Sequence, residues 1–179
     1  MAVHHIALST HNTEETHAFY TEAMGFRLAK VVAGETEHGW SKHLFYDTGD
    51  GGFIAFWELH DPSIDDYRSD VSTGIGLPIW VNHLAFTAEN EEALVAAKAR
   101  WLDYGVPVAD INHGWCRSIY TTDPNGIMVE WCTMLRALDE HDEREALELL
   151  NDAAPPLEPP PAQSFEHPER PRAEVLARS

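Results

Sequence analysis

A chain of 179 residues with 44% hydrophobic content can bury the core of one globular unit, or of two small modules that share one. Its formal net charge of −18 repels a phosphate backbone and argues against nucleic acid as a partner. No apolar run approaches the roughly 18 residues that a membrane span requires, and two cysteines make neither a disulfide framework nor a zinc ribbon.

The opening MAVHHIALSTHN lacks the basic start and apolar stretch of a secretion signal, so a cytoplasmic location is expected. Residues 3–10 read as a first strand, with His5, Ala7 and Ser9 on one face. Asn12, three residues before Glu15, has the spacing of a helix cap; the helix through Phe19, Tyr20 and Met24 stops at Gly25. Strands are expected at 26–32, 42–48 and 53–59, the last two joined by the Asp50–Gly52 turn. Residues 61–77 form a polar linker with a short helix around 64–67. The second half repeats the order: strand 80–87, helix 91–104 capped by Asn90 and stopped by Gly105, then strands 106–111, 117–122 and 127–131. Cys116 and Cys132 fall in this half and read as reduced, packed thiols. An acidic helix follows at 139–151. The remainder, 153–179, holds seven of the eleven prolines and reads as extended or disordered unless it packs on something.

The two halves therefore look like a β-α-β-β-β repeat. The expected class is α+β: two paired βαβββ modules forming a cupped mixed sheet, in a domain of residues 1–134 (module one 3–60, linker 61–77, module two 78–134). A helix at 135–152 and the proline-rich tail complete the chain. Superposing VHHIALS on VNHLAFT pairs His5 with His83, and superposing FWEL on VEWC pairs Glu58 with Glu130. A glutamate between Val129 and Trp131 is costly to bury without a partner. His5, His83 and Glu130 together make a two-histidine, one-carboxylate set. That set leaves open positions on a divalent ion and suits non-haem iron.

These features resemble the vicinal oxygen chelate superfamily, which includes glyoxalase I, methylmalonyl-CoA epimerase, bleomycin and fosfomycin resistance proteins and the type I extradiol dioxygenases. The residues carrying the resemblance are HHIAL with FYTEAMGFRL in the first half, and NHLAF with DPNGIMVEW in the second; they cover roughly residues 3–134. The extradiol signature runs histidine, gap, aliphatic residue, tyrosine, two residues, Asp-Pro, glycine, glutamate. Here His113, Ile119, Tyr120, Asp123, Pro124, Gly126 and Glu130 stand in those places. The resemblance implies Fe(II), with Mn(II) as an alternative, held by His5, His83 and Glu130. It implies that His113 and Tyr120 hydrogen-bond the substrate oxygens, and that His60, ending the first module's last strand, is an acid–base group. The implied reaction is cleavage of a catechol-type aromatic diol by O₂.

Glu58 departs from that pattern, because a glutamate at the position mirroring Glu130 is a fourth metal ligand in isomerase, lyase and epimerase members. That alternative predicts proton transfer rather than oxygenation; a non-enzymatic, drug-sequestering protein is a further one. A homo-oligomer is expected, with the modules pairing within one chain or across two. Trp115, beside His113, is the best aromatic candidate for the pocket, whereas His11, His17, His141 and His167 read as surface residues.

Overall fold

The computed structural model describes residues 3–64 and 67–172. Strand β1 (His5–Thr10) leads into α1 (Thr13–Ala18), which widens into a π-type turn over Phe19–Ala23. The Asn12 carboxamide accepts the Glu15 N–H at 3.0 Å, satisfying a donor that the first turn would leave bare. Gly25 then takes a φ of +77°, a left-handed conformation that favours glycine, and its counterpart Gly105 takes +101°. Strands β2 (Arg27–Glu35), β3 (Trp40–Asp47) and β4 (Phe53–His60) complete the first module, in the order β1-β4-β3-β2 with β1 parallel to β4.

The second module has β5 (His83–Thr87), α2 (Glu91–Tyr104), β6 (Val108–Asn112), β7 (Cys116–Thr122) and β8 (Met128–Met134). On α2 the buried residues are Leu94, Ala97, Trp101 and Tyr104, the spacing of a single helical stripe. Asn90 caps it by accepting from Ala93 N at 2.9 Å. The sheet order β5-β8-β7-β6 matches the first module, and β5 is parallel to β8. Between the modules lies one short 3-10 turn, Thr73–Ile75. Of the helix expected around 64–67, residues 65–66 lie outside the described residues, and Ile64 and Tyr67 are not helical.

Each helix covers one face of its own sheet, and the two helices pack on each other. Phe19 meets Tyr104 edge-on at 5.8 Å, and Phe26 packs on Phe86 and Trp131. Arg100 donates to the Ala23 carbonyl at 2.8 Å. The turn before β8 is latched to the first module: the Tyr20 hydroxyl donates to Asp123 at 3.0 Å, and Asn125 Nδ2 donates to Thr16 at 3.2 Å. Burial pushes the Asp123 carboxyl up, and its hydrogen bonds to Asn125, Ile127 and Tyr20 only partly offset this. The α+β class with paired βαβββ modules is thus the one expected, and among the described residues the strands form two sheets, with no strand of one hydrogen-bonded to a strand of the other.

The tail is extended and packed. Residues Ala162–Glu166 form β9, which pairs antiparallel with β6 and makes the second sheet five-stranded. It is held by an ion cluster: Asp110, buried on β6, accepts from Lys98 at 2.9 Å and from Arg117 at 2.9 and 3.0 Å. Lys98 also reaches Glu166 on β9. Burial pushes the Asp110 carboxyl up, but Arg117 and Lys98 outweigh it and hold it below the ordinary carboxylate range. A depressed carboxylate stabilises the fold above its unfolded value of about 4, and that contribution is lost as pH falls through the folded value. Asp110→Asn should cost about 2–3 kcal/mol, below the 3–5 of a fully buried broken pair because Lys98 and Arg117 are partly solvated. Urea unfolding checks this, with a lower midpoint at an unchanged slope as the expected result.

Candidate active site

The outward faces of the two sheets carry the chemistry, and strand register decides which residues share them. In module two His83 lies opposite Met128, and Ala85 lies opposite Glu130. Across the next ladder Tyr120 lies opposite Glu130, and Ser118 lies opposite Cys132. Directly opposed residues point to the same side of a sheet, so His83, Glu130 and Tyr120 share one face. The other face holds Val129 and Ile119, both fully buried against α2.

His83 and Glu130 converge, with Nε2 and a carboxylate oxygen 3.0 Å apart. The other ring nitrogen, Nδ1, is 2.9 Å from the Trp80 carbonyl. A carbonyl can only accept, so Nδ1 carries a hydrogen, and a neutral His83 presents a bare lone pair at Nε2. Two acceptors 3.0 Å apart repel unless a proton or a cation sits with them. A histidine whose remote N–H is tied to a backbone carbonyl is oriented as metal-binding histidines are. The donor chemistry, imidazole plus carboxylate, suits a divalent ion. Glu130 is buried, and a buried carboxylate calls for such a partner.

Tyr120 extends this pair. Its hydroxyl is 3.1 Å from His113 Nε2, which joins the expected substrate-binding residues to each other and to the carboxylate. Burial, and then the Glu130 carboxylate, push the Tyr120 phenol up to about 12, so it is a protonated donor at neutral pH. Cys116, on the neighbouring stretch of β7, is buried; burial and then Cys132 push its thiol up to about 11, which fits the packed, unreactive reading.

His5 does not join this group. It sits on the outward face of module one, its ring centroid 5.7 Å from that of Phe45 and 6.3 Å from that of His43. His43 stacks on Trp57 at 3.8 Å, and burial, then His5, hold its imidazole below the ordinary value. Among the described residues no group of three or more His, Cys, Asp or Glu side chains is placed to hold a metal ion. Within one chain His5 therefore lies on a different sheet from the His83–Glu130 pair.

Two sequence-based expectations change. The register pairs His5 with Phe53 and Ala7 with Ala55, just as it pairs His83 with Met128 and Ala85 with Glu130. The mirror of Glu130 is thus Ala55, and Glu58 lies three residues farther along β4. Glu58 shares the face of Ile54 and Phe56, both buried against the helices. There it accepts from Lys42 Nζ at 3.0 Å and pairs with His60 at 2.7 Å. Burial pushes Glu58 up, but His60, Lys42 and Thr13 outweigh it and lower it. A carboxylate neutralised by a lysine on the helix side is not a fourth ligand. His60 is also misplaced for acid–base work at the pair. It ends β4 seven residues beyond the partner of His5, about 23 Å at 3.3 Å per residue. It stacks on Trp40 at 3.7 Å on the same side as Glu58.

Trp115 lines a groove of about 740 Å³ that also holds His113, Arg136, residues of α3 (Glu140–Asn151) and Pro159–Pro161. Phe165 and the exposed His167 of the tail line a smaller cleft with Tyr120 and Met128. The proline-rich composition of the tail gave no signal that it would reach the sheet.

A family model of the glyoxalase/bleomycin resistance protein/dioxygenase superfamily matches residues 2–131. No curated protein sequence matches the chain. Among solved structures, a glyoxylase/bleomycin resistance protein/dioxygenase domain from Frankia sp. EAN1pec is 18% identical, with 75% of this chain and 98% of that one covered and a TM-score of 0.58. The genomically encoded fosfomycin resistance protein FosX from Listeria monocytogenes is 21% identical, with coverage of 79% and 98% and a TM-score of 0.52. Lactoylglutathione lyase from Agrobacterium tumefaciens is 19% identical, with coverage of 74% and 92% and a TM-score of 0.51. These likenesses establish a shared fold.

Proposed function

Since the chain belongs to the glyoxalase/bleomycin resistance protein/dioxygenase superfamily, we propose that it is an extradiol-type dioxygenase that opens a catechol-like aromatic diol with O₂. The observation that favours this over proton-transfer chemistry is Ala55 at the mirror position of Glu130. With no carboxylate there, the donor set stops at His5, His83 and Glu130 and leaves room for two reactants.

His83 and Glu130 would hold the ion from one chain, and His5 from a second copy would complete the set. The outward placement of His5 on its own sheet, among the aromatic rings of module one, supports such pairing. Ferrous iron, when bound, supplies the open positions at which a vicinal diol and O₂ meet; manganese suits the same donors. Tyr120 donates its hydroxyl to the anionic oxygen of the diol, and its high-lying phenol keeps that hydrogen throughout the neutral range. His113, in contact with the same hydroxyl, orients it toward the diol oxygen. His60 has no part in this scheme.

Solved neighbours of this fold include a fosfomycin resistance protein and a lactoylglutathione lyase, so metal identity and oxygen consumption are the deciding measurements. Protein purified anaerobically should carry iron or manganese at about one ion per chain and consume oxygen with a catechol panel, giving a yellow product. Zinc or nickel with no oxygen uptake would refute the proposal.

A further inference from the structure

The C-terminal strand adds a residue to the face that carries the metal pair. Register runs unbroken across four strands: Glu130 lies opposite Tyr120, Tyr120 opposite Ala109, and Ala109 opposite Phe165. All four side chains therefore project from one face. The alanine between the two rings leaves a gap. The resulting cleft has a volume of about 180 Å³ and is lined by Pro107, Ala109, Tyr120, Thr122, Met128 and Phe165. Met128 is itself the strand partner of His83, so the cleft begins beside the His83–Glu130 pair. An apolar cavity of about 150 Å³ is enough to take a benzene ring.

Phe165 is 66% exposed, a large area for a phenylalanine held in a ladder. It lies outside the residues that match the family model, which end at 131. Neighbouring strands are about 4.8 Å apart, so Phe165 stands about 10 Å from Tyr120 along the row, with the cleft between them. A diol ring held at His83 and Glu130 and hydrogen-bonded by Tyr120 would direct a substituent along this row.

We infer that Phe165 is a specificity-determining residue, which selects vicinal aromatic diols bearing an aryl or similarly bulky apolar substituent by forming the far wall of a cleft with Tyr120 and Met128. The inference rests on the ring-cleavage reading of the site. The ion cluster of Lys98, Asp110 and Arg117 supports the wall from the opposite side of the sheet, so the tail strand is anchored independently of the Phe165 ring.

The test compares iron-loaded, anaerobic wild-type protein with Phe165→Ala and Phe165→Leu. Binding of 2,3-dihydroxybiphenyl and of catechol is followed by quenching of tryptophan fluorescence, and oxygen uptake is then measured on admitting air. Phe165→Ala should weaken binding of the biphenyl diol about tenfold or more and change catechol binding less than about twofold, with Phe165→Leu in between. Its exposure makes loss of fold in these variants a minor matter, and circular dichroism checks that directly. Equal weakening of both diols, or of neither, overturns the inference while leaving ring cleavage intact. Selective weakening with no oxygen uptake supports the cleft and refutes ring cleavage. Wild-type protein that binds neither diol refutes both.

Discussion

Glu130→Ala protein is expected to lose its stoichiometric metal and about 1,000-fold or more of its ring-cleavage rate. Several kcal/mol of charge stabilisation at the ion, at about 1.4 kcal/mol per tenfold, gives a factor of that size. The expectation follows from the His83–Glu130 contact of 3.0 Å, in which a lone pair and a carboxylate face each other. Removing the carboxylate leaves the His83 imidazole without its acidic partner. His83→Ala should behave alike, and the two losses should not add in the double variant, because either one empties the site. Glu58→Gln is the informative control: its partners are Lys42 and His60 on the helix side of the first sheet, so metal content and rate should remain at wild-type levels. Elemental analysis together with oxygen uptake checks all four proteins. A Glu58→Gln variant stripped of metal would restore the four-ligand alternative.

Tyr120→Phe should retain its metal and lose about 100-fold in kcat, the cost of deleting one well-placed donor to a developing oxyanion. The phenol, pushed up to about 12 by burial and by Glu130, remains a donor through mildly alkaline conditions. If instead the variant lost metal in proportion to rate, Tyr120 would be supporting Glu130 rather than the substrate. Paired kcat and metal measurements on the same preparation separate the two roles.

Much of this arrangement can be read from the residues. The helix expected at 91–104 coincides with α2, because Asn90 and Gly105 mark its ends with chemistry specific to those positions. The His113–Tyr120 contact is legible as well: both residues belong to one hairpin, so their spacing along the chain nearly fixes their spacing in the fold. Glu58 shows what letters cannot convey. FWEL resembles VEWC, yet the resemblance is three residues out of register. In a strand, an odd shift transfers every side chain to the opposite face. The true mirror of Glu130 is Ala55, a residue with nothing to attract notice. His60 followed Glu58 to the wrong side for the same reason. The separation of His5 from His83 lies a level higher still, because it depends on the modules meeting helix to helix, through contacts such as Phe19 with Tyr104. Strand β9 was hidden for a different reason: all five of its residues are exposed, so no alternation of apolar and polar positions marks it.

That exposed strand bears on how the protein behaves in a crowded solution. Without it, β6 would present a row of unpaired backbone groups, the kind of edge on which chains stack into aggregates. Strand β9 occupies that edge. Residues 159–161, immediately before it, and Pro168, just after it, are prolines and have no backbone N–H to offer a further strand. The segment least able to build a core thus covers the β6 edge and, bounded by prolines, confines the new edge to the five residues of β9, and a homologue that keeps residues 2–131 but lacks such a tail would have to protect the β6 edge by another means.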